Sequence, residues 1–545
     1  MPNEIRSTQR APKSCTACYA KKIKCSREVP CRQCVDRGSP AECRREVVRV
    51  KGRIRTADTS QSSPTYADLL QENHRLRALL TGQSSGADAE LPGRPQSLTD
   101  RTEWYEIQLF AMVERSPEAR SVWREEDILM PSRTCSNAIL AIAPQWTFWI
   151  HFALSLPQFH QDHEKFWRLY SAQSSMDVAE PLWMAVYFSV LASTLLFMPD
   201  EIVAASSPPC SNYELLLRNW YNAALFFLDK GDFTGRPHIN TVQAITILGI
   251  IFHNMGDISR HKTLGSVALR MAQQLKLGDD FAQQEESFSE QQVRRRLWWT
   301  LIICEWLPVP FRTPFINDVD FDCQLPDNVD DDELTSPSSR RLSRSKPRPV
   351  QYHILMAKLA TIYYRFRYKL RIRDWSAEEI TQIVLAADDE LANTIGDLPP
   401  FLTLSDTNDE RDAAQPWIKW QRQNLAIAFL YYRIAINRVL QQYWLQESLN
   451  KTRVRAICLS SAQAIIRSIV AKGLDASKFR PWAIALNVFS ASVTLLLEAT
   501  SSQISGSDYS AEIEQGIEFL RSITPYSPLA YHGVKLLEEL RQSKM

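Results

Sequence analysis

From about residue 99 to residue 545, apolar side chains recur every three or four positions, the period of an α-helix with one buried face. The spacing predicts helices over 102–115, 136–156, 182–198, 211–230, 238–254, 259–276, 287–306, 350–372, 376–395, 415–446, 451–470, 480–499 and 510–522. Period-two alternation is rare, so the expectation is one large all-α domain over 99–545. Its clearest break, at about 327–349, runs from acidic (DNVDDDE) to basic (RRLSRSKPRP), and such charge blocks read as an exposed, disordered loop. Two stretches, Pro181–Pro199 and Trp482–Leu497, carry no charge and approach the ~20 residues that span a bilayer. Ser, Thr, Asn and Pro interrupt them and no strong basic flank orients them, so buried core helix is favoured over membrane span and no membrane partner is expected.

Upstream of residue 99 the pattern changes. Residues 1–14 read as a disordered basic arm, 44–64 as a polar linker, and 81–98 as a second linker rich in Gly, Ser and Pro. Between the linkers, 65–80 is helical by pattern, with Ser62 or Ser63 as cap and Pro64 at an early position. Tyr66, Leu69, Asn73, Leu76 and Leu80 follow a heptad seam, and an amide at Asn73 would fix register in a coiled-coil homodimer. With about two heptads present, an amphipathic helix packing on its own chain is the alternative.

Composition sharpens this picture at the N-terminus. Only 16 of 545 residues are Gly while 15 are Trp, which leans toward helix. Net charge is +1, yet residues 1–55 hold 15 Lys and Arg against 5 Asp and Glu, a local +10 that leaves −9 for the remainder. A basic head on a mildly acidic body points to a polyanion as the head's partner. Residues 1–14 contain no apolar run of the kind a secretory signal needs, so the eleven cysteines are expected to stay reduced, and reduced thiols at close spacing mean metal.

Six of those cysteines, Cys15, Cys18, Cys25, Cys31, Cys34 and Cys43, follow the spacing C-x2-C-x6-C-x5-C-x2-C-x8-C. A C-x2-C pair can hold one ion from a single turn, and zinc takes four ligands in a tetrahedron. Six thiolates cannot fill two separate four-sulfur sites, but they suffice for two zinc ions if two sulfurs are shared. Ile23, Val29 and Val35 are the main apolar residues available to the segment, so metal has to supply the folding energy. A redox hub or a disulfide framework would leave the basic run Lys21-Lys22-Ile23-Lys24 unexplained. The six cysteines, that run and Pro30 resemble the fungal zinc binuclear cluster transcription factors. The resemblance implies that Cys15 and Cys31 bridge both zincs, Cys18 and Cys25 completing one site and Cys34 and Cys43 the other.

The same resemblance implies double-stranded DNA as partner, read in the major groove at CGG-type triplets. The lysine three residues before the third cysteine contacts the triplet in that family, which is Lys22 here, with Lys21 beside it. Lysine donates to the O6 and N7 acceptors of guanine. Lys24, Arg27, Arg32, Arg44 and Arg45 suit phosphate contacts, which position without specifying. Tyr19 stands where the family often has Arg. Short helices are expected after Cys15 and Cys31, the first carrying the lysines.

In the body, SRHKTLGSVALRMAQQLKLGDD, EQQVRRRLWWTLIICEW and TPFINDVDFDCQLP, within 259–326, resemble the fungal-specific transcription factor domain, as does the aromatic segment 146–170. Arg295-Arg296-Leu297-Trp298-Trp299 stands for that family's Arg-Arg-x-Trp-Trp, while Glu305-Trp306 replaces its Asp-Arg. Trp298 and Trp299 are expected in the core, and Arg294, Arg295 and Arg296 on a surface or paired with carboxylates. His151, His160 and His163 lack a metal-binding companion set and read as structural. Cys135, Cys210, Cys304, Cys323 and Cys458 read as scattered buried thiols. GxSxG occurs once, as Gly82-Gln83-Ser84-Ser85-Gly86 inside the Gly-, Ser- and Pro-rich linker rather than between a strand and a helix, and GxxxxGK[ST], GxGxxG and HExxH do not occur, so no enzyme is expected. The expectation is thus an all-α protein with a two-zinc cysteine head, a short coiled coil and a large helical regulatory domain. It would act in the nucleus on RNA polymerase II genes of a metabolic or secondary-metabolite cluster, engaging the transcription machinery, for which 327–334 and 510–540 are acidic candidates, and answering to a small-molecule effector.

Overall fold

Apolar faces at helical spacing can leave water only by packing helix on helix, and that is how the chain beyond residue 99 is built. The computed structural model describes residues 7–8, 13–44, 48–50, 53–55, 101–114, 123–281, 285–308, 313–334, 346–404, 409–445, 452–470, 476–501 and 509–542. These fall into two units, Met1–Arg94 and Pro95–Met545. The coiled-coil expectation over 65–80, with Tyr66, Leu69, Asn73, Leu76 and Leu80, lies outside the described residues, as does the 81–98 linker.

The first unit holds two short helices, α1 (Thr16–Ala20) and α2 (Arg32–Val35), and three short strands, β1 (Ser7–Thr8), β2 (Val48–Val50) and β3 (Arg53–Arg55). β2 pairs with β1 in parallel, Ser7 opposite Arg49, and with β3 antiparallel, Arg49 opposite Ile54. Strand therefore stands in parts of the stretches expected to be a disordered arm (1–14) and a linker (44–64). The alternation Val-Arg-Val and Arg-Ile-Arg is period two with β-branched residues, and it carried that signal.

In the second unit the helices used below are α3 (Arg101–Val113), α4 (Arg133–Trp146), α5 (Leu156–Gln173), α6 (Pro181–Leu196), α7 (Tyr213–Lys230), α8 (Ile239–Leu248), α9 (Ile258–Gln274), α10 (Phe288–Trp306), α11 (Asp331–Leu334), α12 (Val350–Arg371), α13 (Ala377–Gly396), α14 (Trp417–Asn437), α15 (Thr452–Ile469), α16 (Trp482–Ser501), α17 (Ser510–Ser522) and α18 (Pro528–Gln542). α6 packs on α7 and α8, α14 on α15, and α16 on α15, α17, α18 and α3. The two uncharged stretches are these central helices. Residues Trp482–Thr500 are long and apolar enough to cross a membrane, and 83% of that window is buried inside the body. Their hydroxyls are satisfied one turn back: Ser189 donates to the Ala185 carbonyl at 2.7 Å, and Ser492 to that of Val488 at 2.9 Å.

Several elements differ from the spacing-based expectation; the run 238–254, for one, is α-helical only to Leu248. The run 136–156 is divided: α4 stops at Trp146, and α5 starts after Ser155 with Pro157 in its first turn, where a missing N–H costs nothing. The run 415–446 passes through a 3-10 turn at Arg438–Leu440. α18 was not expected, and it too opens on a proline, Pro528.

Arg294 and Arg296 of α10 are buried, Arg295 is half-buried, and all three are paired with carboxylates. Arg294 and Arg295 share Asp280, each at 2.7 Å, and Arg294 also reaches Glu286 and the Leu277 carbonyl, both at 2.8 Å. Arg296 pairs with Asp331 on α11 and the Val329 carbonyl. Arg348 pairs with Glu333 at 2.7 Å. This departs from the reading of 327–349 as an exposed loop: within its described parts, 327–334 and 346–349, Val329, Leu334 and Arg348 are buried and Asp331 and Glu333 are half-buried beside two guanidinium groups that need carboxylates, while Asp327 and Lys346 are exposed. The expected core positions of Trp298 and Trp299 are seen, both buried, with Gly278 leaving room for the Trp298 ring: a Cβ there would come within 2.4 Å of it. His163 is buried too, its Nε2 accepting from the Trp167 indole and bonded to Ser136, each at 2.9 Å, with Tyr187 donating to Ser136.

Two predictions follow from buried charge. Arg438 and Glu106, 1% and 0% exposed, form two bonds of 2.7 and 2.6 Å that tie the end of α14 to α3. Glu106→Ala should strand the guanidinium and cost about 3–5 kcal/mol, whereas Glu106→Leu combined with Arg438→Met should cost markedly less; urea unfolding of the full chain measures both. Burial holds His163 down to about 4, against ~6.5 when unfolded, so the unfolded chain binds the extra proton first. The stability this neutral ring provides is present above pH 6.5 and lost as pH falls through 4. His163→Gln should flatten the pH dependence of unfolding in that window.

Candidate metal centre and nucleic-acid interface

The head is two copies of one local design. Cys15 caps α1 in extended conformation, its Sγ accepting from the Cys18 N–H at 3.3 Å, and Cys31 takes the same position before α2. Each C-x2-C pair thus places one sulfur at the cap and one a turn later, on the same side. Each helix closes in the same way: Ile23 N–H donates to the Cys18 carbonyl at 3.1 Å, and Ser39 N–H to the Cys34 carbonyl at 3.0 Å. That closure turns the preceding residue left-handed, Gly38 (φ 69°) in the second half and Lys22 (φ 53°) in the first. Glycine takes this conformation freely, whereas a lysine there is strained by on the order of 1 kcal/mol.

The six sulfurs gather at the centre. Cys15, Cys31, Cys34 and Cys43 form one group and Cys15, Cys18, Cys25 and Cys31 another, the sulfurs within each lying within 4.8 Å of one another. Cys15 and Cys31 belong to both. The Sγ–Sγ separations are 3.8 Å for Cys15–Cys31 and Cys15–Cys34 and 3.5 Å for Cys18–Cys31, and all six thiols are free. Those spacings are far longer than a disulfide and match the edge of about 3.8 Å that zinc–sulfur bonds of ~2.3 Å give a tetrahedron. Backbone N–H groups of Arg27 and Cys31 point at the sulfurs of Cys25 and Cys43, at 3.4 and 3.1 Å, as expected around thiolates.

Electrostatics gives the same answer. Burial drives the crowded thiols upward, and the Cys31 hydrogen bond adds to this at Cys18, which is pushed to about 12. At Cys31 burial is outweighed by the Cys34 backbone and the neighbouring thiols, which bring it to about 6. Such crowding lets some sulfurs ionise only at the expense of others, unless a cation compensates them all. The donor set therefore fits zinc. Among the described residues of the head all six cysteines are buried, Ala17 and Ile23 are the hydrophobic residues that pack against them, and Val29 and Val35 are 41% and 51% exposed, in line with the expected scarcity of apolar residues for a core.

The basic residues surround this centre. Lys21, Lys22, Lys24, Arg27, Arg32 and Arg44 are all exposed; Arg45 lies outside the described residues. The lysines are not carried within a helix, as expected, but at its end: α1 stops at Ala20, Lys21 is its cap, and Lys22 and Lys24 follow. Arg32 opens α2, its N–H held by Ser26 Oγ at 3.0 Å. Thr16 donates its N–H and its hydroxyl to the Arg44 carbonyl, at 2.8 and 2.9 Å, so the two ends of the head meet. The motif gave no hint of Thr16, while the correspondence of Lys22 with Gly38 was available from aligning the two halves, each four residues past its second cysteine.

Residues 147–393 match the fungal specific transcription factor domain family. Among similar curated proteins, the agnestins biosynthesis cluster transcription factor AgnL11 of Paecilomyces divaricatus is 21% identical, the match covering 98% of this chain and 85% of that protein. The aurofusarin cluster transcription factor aurR2 of Gibberella zeae is 23% identical over 70% of this chain and 55% of its own length. The C6 finger domain transcription factor hasF of Aspergillus fumigatus is 24% identical over 50% and 36%. These names are those of regulators, not enzymes. The helices from Thr147 to Asn393, which include α10 and its paired arginines, are therefore the part of the chain that is similar to the fungal specific transcription factor domain, in a chain similar, over almost all its length, to a transcription factor.

Proposed function

We propose that the chain is a nuclear transcription regulator that grips double-stranded DNA through a head folded around two zinc ions. The observation that carries this reading is the pair of four-sulfur groups sharing Cys15 and Cys31 beneath an exposed basic surface. Zinc would supply the cohesion that the head's missing apolar core cannot. Cys15 and Cys31 would serve both ions, Cys18 and Cys25 one, and Cys34 and Cys43 the other.

Lys22 is the residue that reads guanine, with Lys21 beside it, at CGG-type triplets. Its strained backbone supports this assignment, since the matching position in the other half is Gly38 and nothing in the fold of the head requires a lysine there. Lys24, Arg27, Arg32, Arg44 and Arg45 would hold phosphates. One triplet gives limited discrimination, so two heads joined through 65–80 would set the operator by mass action. The names of the relatives, among them regulators of agnestins and aurofusarin clusters, favour control of a secondary-metabolite gene cluster, with recruitment of the transcription machinery. The acidic stretch 327–334 is a poor candidate for that recruitment, because its Asp331 and Glu333 are engaged by Arg296 and Arg348.

A second reading, compatible with the first, is an effector-responsive body. A groove of about 500 Å³, lined by Tyr213, Leu217, Met255, Tyr526, Tyr531 and His532 among others, lies within the range of ligand sites. A raised melting temperature of the full chain with a candidate metabolite would support it.

Metal analysis of the full chain should return two zinc equivalents; far fewer would overturn the reading. Cys31→Ser should lose both ions and unfold the head, whereas Cys43→Ser should spare the group formed by Cys15, Cys18, Cys25 and Cys31. Lys22→Gly separates strain from recognition. It should keep both zincs and leave the head at least as stable, yet weaken binding to a selected operator by about 5- to 150-fold, the equivalent of ~1–3 kcal/mol, in a mobility-shift titration at fixed salt.

A further inference from the structure

Cys304 and His151 meet inside the body, far apart in sequence and unconnected with the six cysteines of the head. Cys304 lies near the end of α10, and His151 follows α4. Cys304 Sγ is 3.6 Å from His151 Nε2, within range for the larger sulfur atom. His151 Nδ1 is 2.7 Å from the Thr246 carbonyl on α8. A carbonyl only accepts, so Nδ1 carries the proton and the Nε2 lone pair faces the thiol. Gly249 lets the ring lie there, since a Cβ at that position would come within 3.2 Å of it. The geometry is that of a thiol with a fixed base beside it, the arrangement that turns an inert cysteine into a nucleophile.

The Cys304 residue is also not fully buried. Contrary to the expectation of buried thiols throughout, Cys304 and Cys210 are half-buried. Cys304 lines a small cavity with Thr246, Gly249, His261, Leu301 and Glu305. Its volume, about 30 Å³, has room for a molecule of one or two heavy atoms and little more. Among the described residues, titratable groups around the pair include Glu305, His261, Tyr432 and His353. Burial keeps His353 neutral, at about 3, and raises Tyr432 well above its ordinary range, so neither competes for the proton. Burial pushes His151 down, but Cys304 and the Thr246 carbonyl more than reverse it.

We propose that Cys304, activated by His151, is an oxidation site for hydrogen peroxide. The thiol proton passes to His151 Nε2. The thiolate attacks one peroxide oxygen, the S–O bond forming as the O–O bond breaks. The leaving hydroxide takes the proton from the imidazolium and departs as water. Sulfur is oxidised by two electrons to sulfenic acid and the peroxide is reduced; a cellular thiol can restore the original state through a mixed disulfide. The added oxygen has to fit between α8, α9 and α10, at the heart of the family-matched domain, which makes the packing there responsive to oxidant.

The test treats the zinc-loaded full chain with hydrogen peroxide, traps sulfenic acid with a cyclic 1,3-diketone, and reads each cysteine by peptide mass spectrometry. Cys210, equally half-buried but hydrogen-bonded only to the Asn212 backbone in what the structure describes, is the internal control for exposure. Cys304 should be tagged at least tenfold faster than Cys210, and His151→Gln should remove that advantage while leaving Cys210 unchanged. Tagging of Cys304 no faster than Cys210 overturns the proposal, as does an undiminished rate in a folded His151→Gln chain. Should that variant fail to fold, the pH profile of the unsubstituted chain decides. A histidine-paired thiolate keeps its rate below pH 7, whereas an ordinary thiol with a pKa of ~8.5 loses about tenfold per unit; parallel profiles for the two cysteines overturn the proposal.

Discussion

Sulfur brought close to sulfur is the constraint on which the head depends. Within each four-cysteine group the sulfurs lie within 4.8 Å, and two of them serve both groups. Uncompensated, such an assembly would be a collection of buried, mutually repelling anions or half-ionised thiols. Compensated by cations, it would be the interior of the head's described residues, in which Ile23 and Ala17 are the hydrophobic neighbours packed against it. The backbone is shaped around this requirement: two capping cysteines, two short helices, two closing bonds. The basic side chains are exposed because the centre admits nothing but sulfur.

The body solves a different problem with a related device. It has apolar surface in abundance, and its central helices α6 and α16 are buried nearly all round. What fixes the arrangement of the remainder is buried positive charge. Arg294, Arg295 and Arg296 draw Asp280, Glu286 and Asp331 onto one helix, Arg348 draws Glu333, and Arg438 draws Glu106 across more than three hundred residues of chain. Each pair is costly to break, so each specifies a neighbour more sharply than apolar contact would.

Much of this was written in the sequence. The helical period marked most of the body's helices, because a stripe of apolar residues is a local property. The cysteine spacing marked six thiols close in sequence for the same reason, and the structure gathers them into two groups with Cys15 and Cys31 in both. Where the reading failed, the deciding partner was distant. DNVDDDE is a solvated loop by composition, and only the buried Arg296 and Arg348 make part of it interior. His151 and Cys304 are unremarkable singly; their meaning lies in a 3.6 Å approach across 153 positions. Two helix starts went unread, at Pro157 and Pro528, where proline sits in the first turn and the apolar period alone shows no start. The strands at 48–50 and 53–55 were legible as alternation but too short to stand out.

The junction at Thr16 and Arg44 has a mechanical side. The chain leaves the head beside the point where α1 begins, fastened there by two bonds to one carbonyl, and β2 continues alongside β1. A tug arriving along the chain from beyond residue 55 is therefore delivered through this clasp to the base of α1. Cys43, the last sulfur before the exit, does not carry the strain by itself. Load on the chain beyond the head is thus shared between the covalent path through Cys43 and two hydrogen bonds that can break and re-form.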